Sequence, residues 1–330
     1  MSEYKDILVF GEIADDKISA VTKELLGGAR KIADKTSEKL HIVFVGDAVT
    51  GCAAEAILLG ADTVHIIDNP NLKFYHTERY MAAVAEIVKK ENPRLLLFAH
   101  GDMGADLGPR LAFRLNSAIV TDCVQISVDP EGGHFVFTKP VYGGLAMAEY
   151  TMEFLPQMAT VRPKSLEPAE TNALRTGECI ALSVDFDVAS SPVTVIEKVV
   201  EKVEGVKLED AEIVVSGGRG IGDANGFKLL EEAAKFFKGA VGASRVACDN
   251  GWMPTTVQVG ITGKIVAPRV YIAVGISGAS QHMSGCSRSK NIIAINKDSA
   301  AAIFKHAQYG VTGDWKLVLP AFINKLKTLE

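Results

Sequence analysis

The last third of the sequence places glycine, serine and a few cations at the ends of short apolar stretches. Four segments share this composition: SGGRG at 216–220, GASR at 242–245, QVGITGK at 258–264 and GISGASQH at 275–282. Such segments offer exposed backbone N–H groups and hydroxyls, which suit the phosphates of a cofactor better than they suit a packed core. Their recurrence therefore predicts a cofactor-binding domain in this part of the chain.

The first segment has the pattern of strand, glycine-rich turn and helix that brings phosphates to a helix N-terminus. It departs from the dinucleotide fingerprint G-x-G-x-x-G, because the last position counted from Gly218 is Asp223. Nicotinamide dehydrogenases also place an acid on the ribose about twenty residues further on, where this chain has Ser244 and Arg245. We therefore do not expect an ordinary nicotinamide dehydrogenase. An enzyme that binds NADP on its own, with Arg245 on the 2′-phosphate, stays open.

Two side chains in these segments suit an aromatic ring as well as a phosphate. The planar guanidinium of Arg245 can lie against a ring or bind a phosphate. A lone histidine such as His282 is more often a satisfied residue at a helix terminus. Its position beside Ser277 and Gln281 in a glycine-rich turn favours a binding role instead. A cofactor that combines phosphates with an aromatic ring would use both side chains.

The elements that must position these residues alternate between strand and helix. Short apolar runs predict strands at 5–10, 40–45, 63–67 and 94–98, and helical spacing predicts helices at 18–33, 52–59, 79–90 and 106–115, with Pro109 in the first turns of the last helix. A second alternating run has strands at 213–215, near 240, at 270–274 and at 292–295, with a helix at 227–237. Strands that alternate with helices predict mostly parallel sheets covered by helices, which is an α/β fold.

The pattern changes between these two runs. Short strand-like pieces at 124–128, 134–138, 145–148 and 151–159 are broken by glycine and proline, which predicts antiparallel additions to the first sheet. A polar, proline-bearing stretch follows at 163–176, and a charged strand-like stretch follows at 193–206. At 330 residues the chain is long enough for two domains, and we place their boundary near 205. The predicted domains are 1–205 and 206–330.

Composition excludes several classes of function. The chain is 48% hydrophobic and 23% charged, with a net charge of −5, which argues against disorder and against nucleic-acid binding through bulk charge. No apolar run is long enough to span a membrane, and the N-terminal residues lack the features of a targeting signal. We therefore expect a cytoplasmic protein with no membrane span.

Cysteine and histidine usage does not predict a metal site. The five cysteines are dispersed with no C-x-x-C pair, which is typical of reduced and mostly buried thiols. The seven histidines lie far apart and form no ligand-like spacing with the cysteines. An ATP-using first half is also disfavoured, since no P-loop is present and GDMGADLGPR at 101–110 is the nearest phosphate-like turn.

Several linked motifs of the last third resemble the alpha subunit of electron-transferring flavoprotein. They are GASRVACDNGW, QVGITGK, APRVYIAVGISGASQHMSGCSRSKNIIAINKD and YGVTGDW, and the resemblance covers 216–315 nearly continuously. The first half, from the N-terminal strand through the 101–114 helix region to Arg162, resembles domain I of that subunit more loosely. The resemblance implies a partner interface on domain I and a Rossmann-like FAD-binding domain at 206–330.

The resemblance also implies which residues bind one FAD in this chain. They are Arg219, Ser244, Arg245, Gln258, Val259, Gly260, Ile261, Thr262, Ser277, Gly278, Ala279, Ser280, Gln281, His282, Asn296, Asp314 and Trp315. Arg245 would lie against the isoalloxazine, Thr262 would hydrogen-bond flavin N5, and His282 would face the O2 edge. Charge on the reduced ring gathers near N1 and O2, so Arg245 and His282 would raise the flavin potential. No residue is expected to react covalently itself.

The family resemblance extends to partners. It implies a beta subunit that carries AMP or a second FAD, and electron exchange with flavoenzymes of the acyl-CoA dehydrogenase type. Bacterial members with a second FAD oxidise NADH and bifurcate electrons, and ferredoxin or flavodoxin is then a further partner. This chain departs from the family pattern at Ile261, Ser280, Trp315 and Cys286, the last read as a buried thiol. These departures bear on the hydrogen bonds to the flavin, and bifurcation stays open.

Overall fold

The structure is a computed structural model that describes residues 4–131, 133–144, 146–184 and 206–328, together with 193, 195–197 and 199. The chain divides into two compact units, Met1–Val199 and Val200–Glu330. The predicted boundary near 205 falls outside the described residues, so its position stays a prediction. Most of the predicted charged stretch at 193–206 also lies outside them.

The first unit is a parallel sheet with helices and a small antiparallel addition. Its strands are β1 Ile7–Gly11, β2 Ile13–Ala14, β3 Lys17–Ile18, β4 Leu40–Gly46, β5 Thr63–Asp68, β6 Leu95–Ala99, β7 Ile119–Cys123, β8 Gln125–Val128, β9 Phe135–Val141, β10 Ala146–Tyr150, β11 Gln157–Val161 and β12 Glu178–Ala181. Its helices are α1 Ala20–Thr36, α2 Ala53–Leu58, α3 Thr77–Glu91 and α4 Asp102–Arg114. Seven strands form the main sheet in the order β12-β5-β4-β1-β6-β11-β7.

The main sheet is covered on both faces, and its central strands are buried along their whole length. All residues of β1, β4 and β6 are buried, as expected for parallel strands with helices on each side. Helix α1 begins at the N-cap Ser19, whose side chain accepts from the N–H of Thr22. Strands β8, β9 and β10 form the antiparallel addition. The predicted fold class of this unit is therefore confirmed.

Two sequence predictions for this unit were wrong in detail. The last helix begins at Asp102, four residues before the predicted start, so Pro109 lies in its interior. The helix starts there because Gly101, in an extended conformation, turns the chain directly after β6. The strand predicted at 151–159 is β11, and it pairs in parallel with β6 and β7 in the main sheet, outside the antiparallel addition.

The second unit is a doubly wound, Rossmann-like sheet of five parallel strands. They are β13 Ile213–Gly217, β14 Ala240–Ala243, β15 Val270–Val274, β16 Ile292–Asn296 and β17 Tyr309–Thr312. Its helices are α5 Ala224–Phe236, α6 Arg245–Asp249, α7 Ser280–Cys286 and α8 Trp315–Lys327. The strand order is β14-β13-β15-β16-β17, so the chain changes direction across the sheet between β13 and β15. Open α/β sheets bind ligands at the carboxyl ends of strands at such a point.

The second unit buries two apolar layers, one on each face of its sheet. Tyr271 and Ala273 face one layer, and Ile272 and Val274 face the other, as the alternation of a strand requires. Strand β17 and helices α6, α7 and α8 were not predicted from the sequence. Among the described residues, no helix is both long enough and apolar enough to cross a lipid bilayer.

Candidate cofactor site

A cavity of about 800 Å³ opens at the carboxyl edge of the C-terminal sheet. We call it the carboxyl-edge cavity. It is lined by Gly218, Arg219, Gly220, Ser244, Arg245, Val246, Gln258, Val259, Gly260, Ile261, Thr262, Gly275, Ile276, Ser277, Ala279, Gln281, His282, Asn296, Lys297, Asp298 and Ala301. These residues come from the loops that follow β13, β14, β15 and β16 and from the 258–262 loop. Its volume is in the range of ordinary ligand pockets.

The structure brings most of the predicted site residues to this cavity. Thirteen of the predicted seventeen line it, and the four that do not are Gly278, Ser280, Asp314 and Trp315. Eight lining residues were not among the predicted site residues: Gly218, Gly220, Val246, Gly275, Ile276, Lys297, Asp298 and Ala301. The last three follow β16 in the same way that the predicted segments follow their strands. The position of this NKD segment after an apolar strand was the signal that could have found it.

Glycines let the loops after β13 and β15 lie against each other. The N–H of Gly220 donates to the carbonyl of Gly275 at 3.0 Å. A side chain on Gly220 would meet the Gly275 backbone at 2.8 Å, and one on Gly218 would overlap its carbonyl oxygen. Gly275 has φ +61°, a left-handed conformation that glycine adopts without strain. The two loops therefore form one continuous wall of backbone at the strand ends.

A run of free backbone N–H groups follows β15. Within the described part of the chain, the N–H groups of residues 277–281 have no hydrogen-bond acceptor. Ala279 is the N-cap of α7 and supplies no side-chain cap, so the helix N-terminus stays open toward the cavity. The turn is held from below, where the N–H of Ile303 donates to the Ser277 carbonyl at 2.9 Å. Consecutive free donors of this kind form a binding site for an anion.

The 258–264 loop is packed against the start of α7. The N–H of Ile261 donates to the Gln281 carbonyl at 2.8 Å, and the Gln258 amide donates to the Thr262 hydroxyl at 3.0 Å. The backbone N–H of Thr262 has no acceptor among the described residues. Thr262 thus presents both a backbone donor and an oriented hydroxyl to the cavity.

Two arginines give the cavity a positive wall. Arg219 follows β13 and forms no ion pair within the described residues, and Arg245 opens α6 with its Nε 3.4 Å from the Asp249 carboxylate. The N–H of Ser244 donates to the Gly217 carbonyl at 2.9 Å, and this bond joins the ends of β14 and β13. Both guanidinium groups are therefore near the strand ends without being neutralised inside the protein core, as a ligand with negative charge requires.

His282 is buried beneath the cavity, with 7% of its surface exposed. Its Nε2 lies 2.9 Å from the Tyr271 hydroxyl. Burial lowers the pKa of His282 to about 4, although the backbone of Val259 acts in the opposite direction. Nδ1 forms no hydrogen bond of acceptable geometry among the described residues. When the Tyr271 hydroxyl donates to Nε2, the imidazole proton lies on Nδ1, which is buried on the side of the Val259 backbone.

The three residues predicted at an adenosine end have different environments. Asn296 lines the cavity, where its amide donates to the Ile276 carbonyl at 2.9 Å and its oxygen accepts from the N–H of Asp298 at 3.0 Å. Asp314 is exposed and caps α8, because its side chain accepts from the N–H of Lys316. The Trp315 indole is buried and donates to the Gly220 carbonyl at 3.1 Å, so it supports the first glycine-rich turn from below.

Two of the residues that depart from the family pattern lie on α7. Ser280 is exposed at its first turn, and its hydroxyl is 3.4 Å from the Gln281 side-chain oxygen. Cys286 is buried, and burial raises the pKa of its thiol to about 12. This thiol stays protonated at neutral pH, in agreement with the predicted buried and unreactive cysteine.

Comparisons with known families agree with this division of the chain. Residues 7–187 match the family described as "Electron transfer flavoprotein domain", and residues 207–287 match "Electron transfer flavoprotein FAD-binding domain". The second match includes the glycine-rich turns and most of the lining of the carboxyl-edge cavity. The cavity thus lies in a domain of a flavin-binding family.

Full-length relatives carry the same name. The chain is 41% identical over 331 residues to an electron transfer flavoprotein subunit alpha of Thermoanaerobacterium thermosaccharolyticum, with 100% of both chains covered. It is 40% identical to the subunits of that name from Megasphaera elsdenii and Bacillus subtilis, covering 99% of this chain and 98% of each relative. The chain belongs to the electron transfer flavoprotein alpha-subunit family.

Proposed function

We propose that this chain binds one FAD in the carboxyl-edge cavity and works as the electron-carrying subunit of a heterodimer with a beta subunit. The observation that carries the proposal is the run of free N–H groups at 277–281, which faces a cavity that also holds Arg219 and Arg245. The donors match a pyrophosphate, and the arginines match either a phosphate or an aromatic ring. The residues present fit the cofactor.

The N–H groups of 277–281 would hold the pyrophosphate at the open N-terminus of α7. Gly278 keeps this turn in place, because its φ of +83° and its contact with the backbone of Ile303 leave no room for a side chain. Ser280 is exposed within the same turn, and its hydroxyl would bind toward the ribityl chain. Asn296 and its neighbours Lys297 and Asp298 would bind toward the adenosine end.

The other end of the cavity has the groups that an isoalloxazine ring needs. Thr262 would donate to flavin N5, Ser244 would lie near the ring, and the Arg245 guanidinium would lie against it. Bound FAD supplies reversible electron transfer, and the reduced ring carries negative charge near N1 and O2. The His282 imidazole and the positive charge of Arg245, both of which line the cavity, would stabilise that charge.

Asp314 and Trp315 would act on the adenosine end mainly through the backbone. Asp314 fixes the start of α8, and Trp315 holds the Gly220 carbonyl. Through these bonds they position the turn on which Arg219 lies. We expect their replacement to affect FAD affinity less than replacement of residues that line the cavity.

The first unit would supply a surface for protein partners. It exposes large apolar side chains, among them Phe113 at 89% and Tyr142 at 83%, which are available to such a surface. A beta subunit carrying AMP or a second FAD would cover part of this surface. Flavoenzymes of the acyl-CoA dehydrogenase type would then exchange electrons with the heterodimer.

The name of one relative favours a partner that acts on CoA esters. An acryloyl-CoA reductase electron transfer subunit beta of Anaerotignum propionicum is 37% identical to this chain, with 99% of this chain covered. Bifurcation of electrons from NADH to an enoyl-CoA and to ferredoxin or flavodoxin is the finer form of the proposal. It requires a second FAD on the beta subunit.

The test is a nucleotide count on the chain purified together with its beta subunit. The proposal requires one FAD that depends on Arg245 and the 277–281 turn. Two FAD per heterodimer, both reduced by NADH, would support bifurcation, whereas one FAD with one AMP would exclude it. Binding of NADPH in place of FAD by the full chain would instead favour the NADP-dependent alternative and overturn the proposal.

The role of Arg245 at the ring is tested through the flavin potential. Arg245→Ala removes a positive charge and should lower the midpoint potential by roughly 60 mV, which is about a tenfold change for a one-electron couple. Arg269→Ala is the matched control, since Arg269 pairs with Glu212 at the amino end of the same sheet. An unchanged midpoint potential in Arg245→Ala, with FAD still bound, would show that Arg245 does not lie against the flavin ring.

A further inference from the structure

Two buried histidines lie side by side in the first unit, away from the carboxyl edge of its sheet. His41 is on β4 and His65 is on β5, and Val43 is the register partner of His65. Residues two apart on a strand share a face, so the two rings project from the same face of the sheet. The rings are stacked, and His41 Nδ1 lies 3.1 Å from His65 Nε2.

Helix α3 brings a carboxylate to the same place. Ile87 and Val88 are buried and pack against the core of the sheet, and Glu91 continues that helical stripe at the last residue of α3. The Glu91 carboxylate oxygens lie 3.9 Å from His41 Nδ1 and 3.9 Å from His65 Nε2. One ligand atom from each of the three residues lies within 4.8 Å of the other two.

The two nitrogens that face each other, His41 Nδ1 and His65 Nε2, lie within hydrogen-bond distance, so a metal ion between them would replace that hydrogen bond. His65 is 0% exposed, and neither its Nδ1 nor His41 Nε2 has a hydrogen-bond partner among the described residues. Burial lowers the pKa of both rings, that of His65 to about 4, so both are neutral at pH 7. Neutral imidazole nitrogens and a carboxylate oxygen within 4.8 Å of one another are a donor set that zinc accepts.

We propose that His41, His65 and Glu91 bind one Zn²⁺ ion through His41 Nδ1, His65 Nε2 and the Glu91 carboxylate. Ligand atoms around a tetrahedral zinc with bonds of about 2.0–2.1 Å are about 3.3 Å apart. The observed separations of 3.1 and 3.9 Å need shifts of roughly half an ångström to reach that value. Glu91 is partly exposed, so a water molecule would complete the tetrahedron.

The surrounding charges fit an ion held in this way. The Asp6 carboxylate lies 3.7 Å from His41 Nε2, on the side of the ring away from the ion, which is the usual place of an orienting carboxylate. Asp62 also acts on His41 as a negative charge. The positive charges of Lys39, near His41, and Lys90, near His65, act against binding of a cation. Since the ion would join β4, β5 and the end of α3, its role would be structural.

The site is invisible in sequence spacing. His41 and His65 come together only because β4 and β5 pair in parallel, and Glu91 only because α3 packs back across that face. The expectation of no metal site rested on spacing alone. The proposal is independent of the FAD site, which lies in the other unit.

The test is a zinc titration of the full-length, untagged, FAD-loaded chain after treatment with a chelator. Calorimetry with Zn²⁺ alone should give one site per chain, and Co²⁺ should give the visible absorption of a tetrahedral complex. His65→Gln and Glu91→Gln should weaken zinc binding at least tenfold. His306→Gln, at an exposed histidine of the other unit, is the matched control and should bind as the original chain does.

Thermal unfolding gives a second readout. Zinc should raise the melting temperature of the original chain and of His306→Gln, and should not raise that of Glu91→Gln. A far-ultraviolet circular dichroism spectrum and a zinc-free melting curve like those of the original chain show that each variant is folded in both units. Glu91→Gln decides the test if the buried His65→Gln fails to fold. Absence of a saturable zinc site in the original chain, or equal affinity in Glu91→Gln, would overturn the proposal.

Discussion

The two units of this chain build parallel sheets of the same kind and treat the carboxyl edges of those sheets in opposite ways. In the second unit, the N–H groups of 277–281 lack acceptors and Arg219 and Arg245 lie beside them. In the first unit, the loop after β4 is already closed by an internal anion. The Asp68 carboxylate accepts from the N–H groups of Ala48 and Val49 and from the Thr50 hydroxyl, at 2.8–3.0 Å.

The rest of the edge in the first unit is also unsuited to a phosphate. Glu12, which follows β1, is partly buried, and burial together with the nearby Asp102 raises its pKa to about 7. Asp102 opens α4, where an anion would otherwise be attracted. Phosphate at this helix would therefore meet two carboxyl groups. The carboxyl edge of a parallel sheet offers a position for a nucleotide, and the residues of the loops determine whether a nucleotide binds there.

The largest expected effect on FAD affinity comes from the turn that presents the free N–H groups. Gly278→Ala puts a side chain at φ +83°, where it would overlap the backbone N of Ile303. A left-handed conformation alone costs about 1–3 kcal/mol, and the overlap adds to it, so FAD affinity should fall at least tenfold. The matched control is Gly101→Ala at the edge of the first unit, where nothing lies within 4 Å. FAD titration checks this, and equal affinity in both variants would contradict it.

The next effect concerns pH and His282. Its pKa is about 4 in the folded chain against 6.5 for the ordinary group, because burial disfavours the charged form. The unfolded chain therefore takes up a proton first as the pH falls, and stability is lost between pH 6.5 and 4. From pH 7 to 4.5 the free energy of unfolding of the second unit should fall by roughly 2–3 kcal/mol because of His282. The His282→Gln variant should not show this loss.

Urea unfolding at the two pH values measures this loss. His306→Gln serves as the control, since this exposed histidine should leave the pH dependence as it is in the original chain. A His282→Gln variant with the same pH dependence as the original chain would show that folding does not lower the pKa of His282.

The closed edge of the first unit can be opened by removing Asp68. Burial would raise the pKa of Asp68, but the hydrogen bonds from Thr50, Ala48 and Val49 hold it below its ordinary value. Asp68→Ala should lower the free energy of unfolding by about 1–2 kcal/mol at pH 7, allowing for solvent exposure of the carboxylate. Because the folded pKa is lowered, this difference should be present above pH 4 and should vanish as the pH falls below it.

Asp68→Ala should also leave the FAD count at one per chain. Freed N–H groups alone lack the arginines that the second unit provides. Denaturant unfolding at pH 7 and pH 3, with cofactor analysis at pH 7, checks both statements. A second FAD in this variant would show that free donors alone make the site.

The smallest expected effect is at Trp315. Trp315→Phe keeps an aromatic ring in the core and removes the indole N–H that donates to the Gly220 carbonyl. Loss of one neutral hydrogen bond costs about 1 kcal/mol, so FAD should bind a few times more weakly. Trp252→Phe, at the chain's other tryptophan, should bind FAD as the original chain does. Equal FAD affinities of Trp315→Phe and Trp252→Phe would show that the Trp315 indole N–H does not support the turn.

The sequence predicted the alternation of strands and helices well, because apolar runs and glycine-rich turns are local signals. It missed β17, which is exposed along its length and has little apolar signal, and it missed α8, which contains Pro320. It also placed β11 in the wrong sheet, since periodicity does not reveal which strands pair.

The sequence named most residues of the cavity but not their separate functions. Composition marked Ser277 and His282 as exceptional, yet burial and the bond to Tyr271 are tertiary facts. Trp315 supports a turn from the core, and no local pattern distinguishes that role from ligand contact. His41 and His65 were unremarkable in sequence because only strand register brings them together.

Hydrogen exchange of the full chain with and without FAD tests the difference between the two edges most directly. The account predicts that FAD slows exchange of the backbone N–H groups of residues 277–281. It predicts no change at residues 46–52 and 101–104 of the first unit. Unchanged exchange at 277–281 on saturation with FAD, or protection at the edge of the first unit instead, would contradict it.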